Sequence, residues 1–350
     1  MFYKYDFRSI GNKKVLYLYL STSSEEANEF KNNKKENVES RIKRFISNNN
    51  INYDEGPVYI ISNGIIIKSI DIKKRNIDVE NTEKSNIYKD NEFMVNVIYN
   101  ENKTIKTTLR NYLIGALITN VSYDYNLELL KAITVLYRTY IYNKITENKA
   151  IETDDEFIKY KSPHFYKLSL YDKYKDIINI IEKAIDETDS IFITYNGSYI
   201  KPYIHSNNNG STDTKAGIDY LEKVPSLWDI LSPLYISTTK YNVEKIKEIL
   251  NIKDNEIAIE ILSLTEGNCI DKIKINNLIF TGDDLMKRLN LPSKDMTILL
   301  TEKEIVFINR GKGHNLGLSL EGSKSLAKYG CSYLQILNYY FPKCKIKKYI

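Results

Sequence analysis

The sequence predicts an α+β fold, a single large domain of mixed strands and helices with a central helical hairpin and a groove. Three observations carry that expectation. The first hundred residues are strand-rich with one helical insertion. Leu109 to Tyr140 then reads as two amphipathic helices meeting at a polar elbow. Beyond it, strands and helices alternate in irregular order with no repeat, the pattern of α+β rather than of a doubly wound sheet.

Bulk composition sets the bounds. A chain of 350 residues can bury a sizeable core as one large domain or two ordinary ones. It is 42% hydrophobic and 27% charged with only 7 Pro and 14 Gly, which argues against long linkers and disorder. Net charge is +5, from 50 basic and 45 acidic residues that are interspersed. That is a mildly basic surface without a nucleic-acid stripe, and no nucleic-acid partner is expected. The 29 tyrosines accompany an excess of Lys, Asn and Ile, which looks like an AT-rich coding bias, so tyrosine abundance carries no weight.

Cys269, Cys331 and Cys344 form no CxxC pair, so free thiols are expected, and a Cys331–Cys344 bridge only in an oxidising compartment. No metal and no cofactor is expected. No run approaches 18 apolar residues, and Val15 to Leu20 is too short for a secretory segment.

In chain order, Val15 to Leu20 predicts a strand running into Ser21–Ser24, and Glu25 to Asn48 a charged helix. Val58–Ile61, Gly64–Ile70 and Phe93–Tyr99 are β-branched and aromatic runs between polar turns. In the hairpin, Leu109, Tyr112, Leu113, Ala116 and Leu117 make one apolar face. In its second helix Leu127, Leu130, Lys131, Thr134 and Arg138 share one side, and Leu129, Ile133, Leu136 and Tyr140 the other. Asn126 is placed to cap that second helix. Glu147 to Ser169 is polar, and Lys175 to Glu187 is helical. Ile191–Tyr195, the Asn196-Gly197 turn and Tyr199–Ile204 form a hairpin. Val243–Leu250 is a helix, while Ile257–Leu264 and Ile273–Phe280 are strands. Thr281 caps a short helix that ends near Leu291, and Ile298–Ile308 holds two strands. Glycine-rich Gly311-Lys312-Gly313-His314-Asn315-Leu316-Gly317 enters a helix over Leu320–Tyr329, and Tyr333–Tyr340 is the last helix.

His205 and His314 both lie at strand ends beside glycine-bearing loops, where sites tend to be built. For each, a structural histidine and a functional one are about equally expected. The loop at 311–317 lacks a Walker frame, and there is no HExxH, GxSxG or EF-hand pattern.

Several motifs in register resemble the stage II sporulation protein D / LytB amidase-enhancer family. Leu109-Arg110-Asn111-Tyr112 to Gly115, Leu127 to Ala132 and Arg138-Thr139-Tyr140 resemble the family's L-E-D-Y-L-x-G, L-E-A-L-K-A and A-R-T-Y, without a gap. Tyr195-Asn196-Gly197, Tyr203-Ile204-His205-Ser206 and Gly210 resemble its Y-N-G strand and F-x-H-S-T-x-G-G loop. Tyr220-Leu221 with Val224 resembles its P-Y-L-x-S-V segment, and Phe280-Thr281-Gly282 to Arg288-Leu289 its F-x-G-x-x-x-R-x-x-L segment. Gly311-Lys312-Gly313-His314 to Ser319 and Gly322 resembles its G-x-G-H-G-V-G-M-S-Q-x-G. The likeness runs over residues 91–345, leaving 1–90 as a divergent, strand-rich N-terminal region.

The resemblance implies work on peptidoglycan glycan strands in a sporulating cell, at the extracytoplasmic envelope; a cytoplasmic place is the alternative, since no anchor is visible. It names a cell-wall amidase or other sporulation proteins as partners. Family catalysis by lytic transglycosylases uses a glutamate in the elbow to protonate the glycosidic oxygen. The ungapped match puts Asn120 there, with Val121 for Met and Ser122 for Pro. An amide cannot donate an acid proton, so the resemblance implies an impaired, glycan-binding member, a pseudoenzyme. The alternatives are an active enzyme whose acid has moved to Asp124 or Glu128, and an unrelated intracellular binding protein. Arg138, Tyr140, His205, Ser206, Gly210, Gly313, His314 and Ser319 match the family and are the expected substrate-binding set.

Overall fold

The computed structural model describes residues 2–10, 13–20, 42, 57–62, 65–71, 79–82, 89–99, 103–122, 124–169 and 171–349. These fall into two compact units, Met1–Asn76 and Ile77–Ile350.

The first unit is a four-stranded sheet in the order β1-β2-β3-β4, formed by β1 (Phe2–Ile10), β2 (Lys13–Leu20), β3 (Pro57–Ser62) and β4 (Ile65–Asp71). β1 and β2 are antiparallel, as are β3 and β4, while β2 and β3 run parallel. Leu16, Leu18, Val58 and Ile60 are fully buried on these central strands, together with helical Ile42. The remainder of the helix expected over 25–48 lies outside the described residues.

The second unit begins with β5 (Glu80–Thr82), β6 (Met94–Tyr99) and β7 (Lys103–Thr108), which leads straight into α1 (Leu109–Asn120). The Thr108 side chain accepts from Asn111 N and starts that helix. α2 (Leu127–Thr146) is capped by Asn126, whose Oδ1 accepts from Leu129 N at 2.9 Å, as the sequence predicts. The sequence assigned each helix a buried face, but the structure encloses them almost all round. Leu109 and every residue from Tyr112 to Ile118 are buried in α1, and every residue from Leu129 to Asn143 in α2. Gly115 permits this enclosure: a Cβ there would stand 2.3 Å from Lys161 O and 2.6 Å from the Tyr160 ring.

β8 (Ile151–Glu152), α3 (Pro163–Ser169) and α4 (Tyr171–Asp186) follow. β9 (Ile191–Tyr195) and β10 (Ser198–Tyr199) then make the expected hairpin, with Asn196 and Gly197 both at positive φ. After β11 (Ile204–His205) and a 3₁₀ turn (Leu227–Leu231) come β12 (Ile236–Asn242), α5 (Val243–Leu250) and β13 (Ile259–Leu264). The single strand expected over 273–280 is a hairpin, β14 (Ile270–Ile275) and β15 (Leu278–Thr281), because Asn276 takes a left-handed conformation between them. α6 (Gly282–Arg288), β16 (Asp295–Leu300), β17 (Glu304–Arg310), β18 (Leu318–Ser319), α7 (Leu320–Lys328), α8 (Tyr333–Tyr340) and β19 (Lys345–Tyr349) complete the α+β fold. Ile246, Leu250, Ile273, Leu285, Ile305 and Phe307 share one core between α5, α6 and the two three-stranded sheets β13-β14-β15 and β12-β17-β16.

Candidate functional site

Two groups of residues singled out by sequence meet at the first turn of α7. One is the elbow between α1 and α2, where Asp124 pairs with Lys324 of α7. The other is a pair of loops, 203–213 and 311–319, stitched by the short parallel pair β11 and β18. Glu321 joins them: its N–H donates to Ser206 O at 3.1 Å, its carboxylate accepts from Ser232 Oγ at 2.9 Å, and its charge acts on Tyr125 of the elbow.

At the elbow, Asn120 closes the end of α1. Its Nδ2 donates to Ala116 O at 2.7 Å and to Lys159 O at 2.6 Å, and its Oδ1 accepts from Lys159 N at 3.3 Å. The side chain thus pairs with the main chain of the 154–161 loop, which the Tyr112–Tyr160 ring stack at 4.9 Å also holds against α1. Asp124 is exposed, and the Lys324 ammonium beside it holds its carboxyl below the usual range. Glu128 has both oxygens occupied, one by Lys131 Nζ at 2.7 Å and the other by Tyr333 N at 2.7 Å, at the first residue of α8.

The remaining elbow-motif residues point into the core. Arg138 is fully buried and forks onto Asp90, with Nε at 2.9 Å and Nη2 at 2.5 Å from its carboxylate, with longer contacts to Thr188 Oγ1 and Ile191 O. The phenol of Tyr140 donates to Asp155 at 3.2 Å, and Asp155 also takes Lys144. Both side chains are buried and hydrogen-bonded to carboxylates. On the side of α2 that carries Lys131, Thr134 and Arg138, these polar residues form a buried seam with partners from Asp90, Glu187 and Thr188.

In the loop pair the two histidines cross-link reciprocally. His205 Nδ1 donates to Leu316 O at 3.0 Å, which leaves Nε2 to accept from Asn208 Nδ2 at 3.4 Å. His314 Nδ1 accepts from Leu316 N at 3.0 Å, so its other nitrogen is the donor toward Ile204 O. Burial lowers both, His205 to about 3 with help from His314, and His314 to about 4 with help from Lys294. Gly313 sits at φ +119, where a Cβ would meet His205 Cβ at 2.8 Å; the glycine lets one histidine strand pass the other. Gly210, at φ +110, donates from its N–H to Asn208 Oδ1 at 2.8 Å.

Ser319 caps α7 and donates to a residue that sequence reading missed. Asp229 is fully buried and accepts from Ser319 Oγ and Ser226 Oγ at 2.5 Å, Asn207 Nδ2 at 3.0 Å and Asn208 N at 3.1 Å. Burial pushes its carboxyl up to about 7, against those hydrogen bonds. Ser226 also bonds Tyr340 OH at 2.7 Å, so one carboxyl ties the 207–208 loop to α7 and α8. The available signal was Ser226-x-x-Asp229, a capping-type pattern ahead of a short helical turn. All three cysteines are free thiols.

Residues 99–195, which span the elbow, match the family model described as stage II sporulation protein. The stage II sporulation protein D of Bacillus subtilis (strain 168) is 29% identical over 255 residues, 69% of this chain and 74% of that protein. That of Bacillus amyloliquefaciens is 26% identical over the same shares. An uncharacterized protein of Brachyspira hyodysenteriae is 24% identical over 267 residues, 72% of this chain and 70% of its own length. Over residues 99–195 the chain thus matches the stage II sporulation protein family, and over 69% of its length it is similar to stage II sporulation protein D. That similarity supports a sporulation-related cell-wall function. No helix among the described residues is long and apolar enough to cross a membrane.

Proposed function

We propose that this protein binds peptidoglycan glycan strands at the cell envelope during sporulation, in the groove between the elbow and the loop pair, without performing the acid-base step of a lytic transglycosylase. The observation that carries this is Asn120. In the motif resemblance it stands where the family has its acid, and its amide is committed on both sides to main chain, at Ala116 O, Lys159 O and Lys159 N. Such a side chain has no proton to give a glycosidic oxygen, and general acid–base help is worth about 10² to 10⁴ in rate.

The two neighbouring carboxyls do not replace it. A general acid at neutral pH needs a raised pKa, and Lys324 moves Asp124 the other way. Glu128 has both oxygens committed, one to Lys131 Nζ and the other to the N–H of Tyr333 that opens α8, so neither is free to meet a substrate oxygen. The displaced-acid alternative thus lacks a carboxyl suited to the role.

Incubation of the full chain with glycan strands stripped of stem peptides tests this. Binding is expected in pull-down, with no anhydro-sugar ends in the muropeptide profile. Anhydro ends that vanish in Asp124→Asn or Glu128→Gln would overturn the proposal. Asn120→Glu is expected to gain cleavage if the rest of the groove is intact.

A further inference from the structure

Beside the histidine cross-link stands a group of side chains that the reading above leaves unused. The Lys201 and Lys215 ammonium groups lie 5.8 and 5.3 Å from the centroid of the same Tyr203 ring. Both lysines are exposed, and among the described residues neither has an ion-pair partner. The carboxylates nearest in influence are otherwise engaged: Glu147, which acts on Lys201, pairs with Lys149 at 2.5 Å, and Asp283, which acts on His314, pairs with Lys294 at 3.2 Å.

The platform is rigid. Tyr203 O accepts from Leu318 N at 2.9 Å, and its main chain runs so close to Gly317 that a Cβ there would stand 2.3 Å from Tyr203 O. Tyr220 OH donates to Lys201 O at 2.8 Å, and the His314 ring meets Tyr203 edge-on at 5.8 Å. A tyrosine face can hold one ammonium group. Two like charges drawn to one ring repel each other, and an anion seated with them relieves that repulsion. Ser206, whose carbonyl accepts from Glu321 N beside the elbow, is three positions on from Tyr203, a span of at most about 11 Å. The lysine pair therefore stands close along the chain to the loop that meets α7.

We propose that Lys201 and Lys215, gathered on Tyr203, form an anion subsite for the free lactyl carboxylate of muramic acid, the group exposed when a glycan strand loses its stem peptides. This rests on the glycan-strand reading and adds to it a reason to distinguish stripped strands from peptide-bearing ones. An amide-linked stem peptide removes the charge at that position, whereas the free carboxylate meets two ammonium donors.

The test uses the full chain on immobilised stripped strands, and on the same strands after their carboxyls have been amidated. The double variant Lys201→Gln/Lys215→Gln is expected to bind stripped strands about five- to thirtyfold more weakly. The loss should be larger at low salt, where exposed charges are screened least. Lys201→Arg/Lys215→Arg keeps charge and ring contact and should bind like the wild type. Amidated strands should bind the wild type as poorly as stripped strands bind the Gln variant. Equal wild-type binding to both strand types, or an unaffected Gln variant, overturns the subsite and leaves the glycan reading standing. A wild type with affinity for neither strand overturns the reading beneath it. Polyphosphate that competes as well as N-acetylmuramic acid at equal charge would overturn the carboxylate assignment in favour of a phosphate.

Discussion

The elbow and the loop pair both carry family-matching residues, and both spend most of them on structure, but by different chemistry. In the elbow the buried groups are charged and answered by charge: Arg138 by Asp90, and Asp155 by Lys144. In the loop pair they are neutral and answered by main chain, His205 by Leu316 O and His314 by Leu316 N. Among the described residues Asp229 has no ion-pair partner, and it relies on hydroxyl and amide donors. A buried guanidinium carries a charge that main-chain carbonyls alone do not neutralise, so a carboxylate accompanies it, whereas a neutral imidazole is satisfied by main chain alone.

The largest expected effect breaks the charged side of this comparison. Arg138→Met leaves Asp90 buried without its partner and should destabilise the protein by about 3 to 5 kcal/mol in urea titration. The double variant Arg138→Met/Asp90→Leu should recover part of that loss, since replacing both members of a buried pair costs less than removing one. If the double variant were less stable than the single, the pair would not be acting as a unit.

The neutral side is broken by acid. His314 is lowered in the folded protein from 6.5 to about 4, so between those values the unfolded chain binds more protons. Stability is therefore complete above about pH 6.5 and is lost as pH falls toward 4, by on the order of 2 to 3 kcal/mol. Asp229 has the opposite sign: raised from 3.8 to about 7, it favours the folded state at the acid end, and its contribution is lost as pH rises between those values. Denaturation midpoints from pH 4 to 7 should show His314→Gln with a shallower acid loss than wild type, and Asp229→Asn with a shallower loss toward neutrality. Parallel curves for wild type and variant would show that the group in question titrates alike in the folded and unfolded chain.

The smallest effect is at the exposed pair. Asp124→Asn removes a solvent-exposed contact to Lys324 and should change stability by no more than about 1 kcal/mol, less at high salt. A much larger loss would mean that the elbow depends on Asp124 as the core depends on Asp90.

Much of the local architecture could be read directly. α5 and α8 have the predicted bounds, Asn126 and Thr281 cap as expected, and Asn196-Gly197 turns the hairpin. What could not be read were partners far away in the chain. Asp90 is 48 residues from Arg138, Lys159 is 39 from Asn120, and Ser319 is 90 from Asp229. Nothing in the local pattern distinguishes an arginine that will face a groove from one that will meet a buried aspartate.

By itself, then, the sequence determined the periodicities, the caps and the turns, because each depends on residues a few places apart. Only the tertiary structure decided that Arg138, Tyr140, His205 and Ser319 are tied into buried networks and that Lys201 and Lys215 converge on one ring. A polar side chain's role is fixed by whether burial forces it to find a partner, and burial is a property of the packed chain, not of the local sequence.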